Sequence, residues 1–148
     1  MKLILHVDGG SRGNPGPGGA GAELRNADGE PVFEAGYFLG HVTNNQAEYT
    51  GLIRGLEAAI RAGADEIEIY ADSELLVKQI HGDYRVRNAG LLPLYDKVMA
   101  LLGNVRKWRI RHVRREQNQA ADGLANDAMD AQSDVIRTDH FASAGQDD

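Results

Sequence analysis

Two short apolar runs in this chain each stop on an aspartate, and an amphipathic helix pattern lies between them. Leu3-Ile4-Leu5-His6-Val7 runs into Asp8 and is halted by Gly9-Gly10, and residues 65–71, with Ile67 and Ile69 alternating, run into Asp72. Apolar and β-branched residues bounded by such stops read as strands. Between them Tyr49, Leu52, Ile53, Leu56 and Ile60 recur at i, i+3, i+4, i+7 and i+11, which is one apolar helix face. A strand, a crossover helix and a second strand leave the two strands parallel. Their C-terminal ends then share one edge, where open α/β sheets hold ligands, so Asp8 and Asp72 are expected side by side. Each also has a plainer reading. Asp8 could only turn the chain, and Asp72 could only cap the next helix, although Ser73 can do that instead.

The rest of the pattern fits around this crossover. Gly9–Gly19 is too rich in glycine and proline for regular structure and reads as a loop. Its bare backbone N–H groups suit approach to a polyanion. The G-x-G-x-x-G match at Gly16, Gly18 and Gly21 lacks the helix that a dinucleotide fingerprint needs and is read as accidental. Residues 20–26 and 31–39 read as antiparallel strands joined at Asp28-Gly29. Thr43 and Gln46 form a capping box for the central helix, Gly63 ends it, and Glu48 falls at the edge of its buried stripe. A short helix is expected at 73–80, followed by a polar connection at 81–90 with Tyr84, Arg85 and Arg87. Another helix is expected at 91–102. In the strand at 105–113, Trp108, Ile110 and His112 face one way and Arg109 and Arg111 the other. Asn118 is expected to cap a last helix that buries Ala121, Leu124, Ala125 and Ala128. Asp122 lies in its first turn, where the helix dipole alone favours an acid. From Gln132 the pattern fades. The expected organisation is one domain over 1–131 and a C-terminal tail over 132–148, flexible or partly docked through Val135-Ile136 and Phe141.

Composition narrows the chemistry. The 148 residues include no cysteine, which excludes disulfides, zinc–thiolate sites and thiol nucleophiles. No apolar run approaches the ~20 residues of a membrane span, and the first run is too short for a signal peptide. A cytoplasmic protein without a membrane partner is expected. The net charge of -6 argues mildly against nucleic acid as a partner. Acids that bind cations would make that sum misleading. The positive charge is also crowded at Arg106, Lys107, Arg109, Arg111, Arg114 and Arg115, either a solvated strand face or a phosphate track.

Asp8, Glu48, Asp72 and Asp122 are thus candidates for one sheet edge. Carboxylates this close cannot all stay ionised where water is scarce. A hard divalent cation with oxygen ligands relieves them. With no histidine or cysteine in a zinc-like spacing, Mg²⁺ or Mn²⁺ is preferred. Two such ions about 3.5–4 Å apart could activate water and stabilise a leaving oxygen.

Asp8-Gly9-Gly10-Ser11, Gly13-Asn14-Pro15-Gly16-Pro17-Gly18-Gly19, Thr43-Asn44-Asn45-Gln46-Ala47-Glu48, Asp72-Ser73, Asn118 and Asp122-Gly123-Leu124-Ala125 follow one another in this order. Together they resemble type 1 ribonuclease H, in the subgroup without the basic helical protrusion, over the chain to about Ala131. The resemblance implies an α/β ribonuclease H-like fold: a mixed five-stranded sheet in order 3-2-1-4-5, flanked by helices on both faces. It implies endonucleolytic hydrolysis of the RNA strand of RNA/DNA hybrids, leaving 5′-phosphate and 3′-hydroxyl ends. In this reading Asp8 bridges two Mg²⁺ ions (Mn²⁺ being an alternative), Glu48 and Asp72 complete one, and Asp122 holds the other beside the attacking water. Asn44 and Asn45 read the minor groove, the backbone at Gly9, Gly10 and Ser11 senses 2′-hydroxyls, and Asn14 and Thr43 contact the DNA strand. A monomer with no obligatory protein partner is implied. Three departures stand out. The loop Arg114-Arg115-Glu116-Gln117 lacks the histidine of many relatives; His112 lies earlier and reads as structural, and Glu116 is a weak substitute. Residues 82–90 replace the protrusion, leaving Arg85 and Arg87 to carry more of the hybrid. Glu74 stands where a groove-reading glutamine often sits, and a carboxylate only accepts. Two other readings stay open: an integrase-like or exonuclease-like nuclease on the same fold, and a hybrid-binding module without turnover.

Overall fold

In the computed structural model, which describes residues 1–142, one six-stranded sheet separates helices on two faces. The elements are β1 (Lys2–Ser11), β2 (Gly16–Arg25), β3 (Pro31–Val42), α1 (Asn44–Arg61), β4 (Glu66–Ala71), α2 (Glu74–His81), α3 (Leu92–Leu102), β5 (Lys107–His112), α4 (Gln119–Ala131) and β6 (Val135–Asp139). The strand order is β5-β4-β1-β2-β3-β6. β1 pairs parallel with β4, and β4 with β5; β2, β3 and β6 add antiparallel.

Five of these strands stand in the order expected, and the sixth corrects the count. Val135–Asp139 extends the sheet beyond β3. Residues 143–148, the end of the stretch read as a tail, lie outside the described residues. A second correction concerns the glycine-rich stretch. β1 continues through Asp8 to Ser11, and β2 begins at Gly16, with Ser11 opposite Gly18. Only the turn at residues 12–15 is loop, closed by the Arg12 N–H donating to the Pro17 carbonyl at 2.8 Å. Asp8 therefore sits inside a strand, one residue beyond the last parallel pair, Val7 with Ala71.

Alternation along β1 decides the layers. Leu3, Leu5 and Val7 are buried with Tyr49, Leu52 and Leu56 of α1. Ile67, Ile69 and Ile110 continue that face under Leu76, Ile80, Val98 and Leu102. The opposite face carries Ile4, His6 and Asp8, and α4 packs there on β1, β2 and β3. Glycine is what lets α4 come so near. A Cβ at Gly21 would overlap the Ala121 carbonyl, and one at Gly36 the Leu124 carbonyl. Among the described residues no helix is long and apolar enough to cross a membrane.

Candidate active site

The site begins where β1 meets the first turns of α1. Thr43 caps α1 with both halves of the expected box: its Oγ1 accepts from the Gln46 N–H at 3.1 Å, and Gln46 Oε1 accepts from the Thr43 N–H at 3.0 Å. The contact with β1 is made by glycines on both sides. A Cβ at Gly9 would overlap the Ala47 carbonyl, and one at Gly51 would lie 2.6 Å from the Asp8 carbonyl oxygen. This close approach carries Glu48 to Asp8. The crossover supplies Asp72 at the end of β4, and Ser73 frees it from capping duty by accepting from the Leu76 N–H at 3.2 Å. One carboxylate oxygen from each of Asp8, Glu48 and Asp72 lies within 4.8 Å of the others.

Asp122 reaches the same place from α4. It lines an open cavity of about 430 Å³ with Asp8, Glu48, Asp72, Gly9, Gly10, Ser11 and Asn44, beside the trio that lies within 4.8 Å. Asn118 sets that approach. It is expected as a cap, yet its side chain makes no capping bond. It is 1% exposed and donates from Nδ2 to the Val7 carbonyl at 2.8 Å, while the Asp122 N–H donates to the Asn118 carbonyl at 3.1 Å. One residue thus ties the start of α4 to the backbone just before Asp8.

The electrostatics follow from this crowding. Burial, the Asp72 charge and hydrogen bonding to Asp122 push the Asp8 carboxyl up to about 9, against a smaller downward pull from the Gly9 N–H at 2.9 Å. Burial pushes Glu48 up to about 7, opposed by a hydrogen bond from Ser73. Desolvated like charges resist ionisation, and among the described residues no cation lies within ion-pair distance of Asp8, Glu48 or Asp72. Arg115 is the nearest cation found, 3.8 Å from Asp122, and it is exposed.

The other expected contacts divide into three. Ser11, Asn14 and Asn44 form one network: Asn44 Oδ1 accepts from the Ser11 N–H at 2.8 Å and from its hydroxyl at 3.1 Å, and the Asn44 N–H donates to Asn14 Oδ1 at 3.0 Å. Asn45, Asn14 and Thr43 line a neighbouring depression of about 250 Å³ with Asn88 and Leu91. Glu74 lines neither; it pairs with Lys78 at 3.1 Å. His112 ends β5 exposed rather than in the core, and Glu116 is exposed and lines a different depression, beside Asn118. Arg12, which belongs to no candidate set in the sequence, also lines the acid cavity and pairs with Asp130 at 2.7 Å. Only its place in the glycine-rich stretch could have pointed to it.

A family model described as reverse transcriptase-like matches residues 6–128. A bifunctional protein of Mycobacterium tuberculosis is 45% identical over 140 residues, which make up 94% of this chain and 38% of that protein. The chain therefore spans well under half the length of that relative. The crystal structure of RNase H1 from the halophilic archaeon Halobacterium salinarum matches with a TM-score of 0.86 at 43% identity, covering 88% of this chain and 99% of that one. LC11-RNase H1, solved in complex with an RNA/DNA hybrid, matches with a TM-score of 0.83 at 36% identity, covering 88% and 98%. Sharing this fold over nearly the full length of both solved proteins, the chain belongs to the type 1 ribonuclease H family.

Proposed function

We propose that the chain is a Mg²⁺-dependent endonuclease that hydrolyses the RNA strand of RNA/DNA hybrids with two ions, leaving 5′-phosphate and 3′-hydroxyl ends. The observation that carries this is the convergence of Asp8, Glu48 and Asp72 within 4.8 Å, with Asp122 on the same cavity. The donor set fits a hard divalent cation: it is all carboxylate oxygen, and burial with the Asp72 charge pushes Asp8 up to about 9, a cost that a bound cation would offset. Asp8, Glu48 and Asp72 would hold one ion, and Asp8 with Asp122 the other. Bound there, the ions would supply a nucleophile at neutral pH and offset charge on the leaving oxygen.

The chain's own part is orientation and recognition. The Ser11–Asn44–Asn14 network holds the end of β1 against the start of α1, leaving the backbone of Gly9 and Gly10 open to the cavity. A 2′-hydroxyl is the one group by which RNA differs from DNA at that position, and backbone contacts there read it without reading sequence. Asn44 and Asn45 would face the minor groove, and Asn14 and Thr43 the second strand. The hybrid bound by LC11-RNase H1 supports this substrate. Glu74, held by Lys78, contributes little to it.

The test is a hybrid labelled on each strand, incubated with Mg²⁺, with Mn²⁺ or with EDTA. RNA-strand cuts that need the metal and carry a 5′-phosphate are expected. Cutting of the DNA strand, or of double-stranded RNA at a similar rate, would favour a nuclease of another specificity.

A further inference from the structure

On the face that carries α4, the helix packs over β1, β2 and β3, and β4 and β5 turn half-buried or exposed polar side chains outward. The strand register sets Glu23, His6, Tyr70 and Arg111 as one row across β2, β1, β4 and β5. Side chains two residues apart share a face, so His6 and Tyr70 lie next to Asp8 and Asp72. The two rings stack with centroids 5.1 Å apart and planes at 23°. Glu23 is engaged by Arg25, with two bonds of 3.0 Å. Arg111 is exposed, as are Arg114 and Arg115 after it, and Arg115 reaches the acid cavity. Lower in the crowd of cations, Arg109 is held by Glu68 at 2.8 Å and Arg106 by Asp65 at 3.6 Å. Among the described residues no carboxylate lies within ion-pair distance of Arg111 or Arg114.

We propose that Tyr70 and Arg111 of this row, with Arg114 beyond the end of β5, bind a single-stranded extension of the nucleic-acid strand whose hybrid part occupies the acid cavity. The proposal rests on the hybrid-cleaving reading above. In a chain of net charge -6, Arg111 and Arg114, which no carboxylate pairs with among the described residues, are a local exception. They follow on from Arg115 at the cavity, and Arg111 stands on the half of this face where, among the described residues, α4 does not pack. Positive charge that tracks a backbone, combined with an aromatic face on which bases stack, is how single strands are held without sequence preference. A paired duplex cannot offer its base faces to Tyr70, so the occupant is unpaired.

The experiment compares a blunt RNA/DNA hybrid with the same hybrid carrying an RNA extension of about eight nucleotides, within the span of one single-strand site. Affinity is read by competition in EDTA, where nothing is cut. The full chain should bind the extended hybrid roughly fivefold tighter at low salt, with the salt slope steeper by about 1 to 2, as two phosphate contacts require. Arg111→Glu with Arg114→Glu should abolish the gain and leave binding of the blunt hybrid unchanged, which also reports an intact fold. Arg106→Glu should change neither. The proposal is overturned if the extension brings no gain to the unaltered chain, if the gain survives the double substitution, or if a double-stranded extension or polyglutamate competes equally well. Absence of cleavage or binding of the blunt hybrid would instead overturn the enzymatic reading.

Discussion

The four carboxylates reach one cavity by two unlike routes. Asp8, Glu48 and Asp72 belong to a single β1–α1–β4 crossover, and their meeting follows from parallel pairing plus the glycine contact at Gly9 and Gly51. Asp122 comes from the far end of the chain. It is placed by a helix lying on glycines of β2 and β3 and by one amide, Asn118, bonded to the Val7 carbonyl. The first route is built into the core, where neighbouring groups leave little freedom. The second depends on a few contacts whose loss moves a helix without unfolding the sheet. Damage to the first arm should therefore strike the chemistry, and damage to the second should strike geometry first.

The largest effect is expected at Asp8. Asp8→Asn should lower hybrid cleavage by about 10³-fold or more, because it removes the group common to both candidate ions. Stability should move the other way. With burial as the main cause, Asp8 is raised from 3.8 to about 9 and Glu48 from 4.5 to about 7. A raised folded-state value means that the native protein holds protons the unfolded chain releases first. Metal-free stability from these groups is then complete below the unfolded values and is lost as pH climbs through the folded ones. Thermal melts of Asp8→Asn in EDTA should gain on the unaltered chain steadily from about pH 5 to about pH 9. Mg²⁺ should raise the melting temperature of the unaltered chain and do far less for the variant. A wild-type cleavage rate in Asp8→Asn would dissolve the distinction between the arms.

Gly21→Val tests the second arm. The added side chain meets the Ala121 carbonyl and must push α4 outward at its first turn. Overpacking of this kind costs about 1–3 kcal/mol, and a displacement near 1 Å at a catalytic group costs about 10²-fold in rate. The expected result is a cooperative melt at lower temperature, unchanged far-ultraviolet dichroism, and a fall in kcat with KM for the hybrid nearly kept. If Gly21→Val cleaves normally, α4 does not control the site.

How far these routes could be read from sequence differs for the same reasons. The crossover is legible because it is periodic: Leu52, Ile53 and Leu56 declare the helix, and Ile67 and Ile69 declare the strand. Gly9, Gly10, Gly16, Gly18 and Gly19 read as strand breakers, yet they lie within paired strands. Gly9 is small because α1 sits on it and Gly19 because α4 does, and no local pattern records a partner that distant in sequence. β6 escapes for a related reason. Val135–Asp139 has no apolar face of its own, and its strand form is lent by pairing with β3. Asn118 announces a cap, and its real partner stands 111 positions away. Asp122 alone reads as an acid at a helix start; the sequence pattern allows its helix to pack over the same edge, and the family resemblance gives it a metal-holding role.

A gentler break of the second arm is Asn118→Ala. It removes the donor to Val7 and leaves that carbonyl without its protein partner at a buried position, which costs about 1–3 kcal/mol. Asn118 Oδ1 already lacks a partner, so the loss falls on the single bond from Nδ2. A structural role alone would lower the melting temperature and spare kcat measured well below it. The clamp predicts more: kcat falls about tenfold at temperatures where the variant is fully folded, KM stays, and Asn118→Leu, which keeps the volume but has no donor, behaves like Asn118→Ala.

The smallest effect is expected at Asn45, which stands in the first turn of α1 but clear of the carboxylates. It lines the depression with Asn14, Thr43 and Asn88 and takes no part in holding the carboxylates together. If it reads the minor groove, Asn45→Ala removes one hydrogen bond to the bound hybrid, worth about 0.5–1.5 kcal/mol, or roughly three- to tenfold in affinity. The loss should appear in KM for the hybrid, and preference over duplex DNA should shrink by the same factor. The melting temperature and the Mg²⁺ dependence should stay as they are, since no contact among the carboxylates changes. An unchanged preference would assign discrimination to the backbone at Gly9 and Gly10, which Asn44 rather than Asn45 holds in place through Ser11.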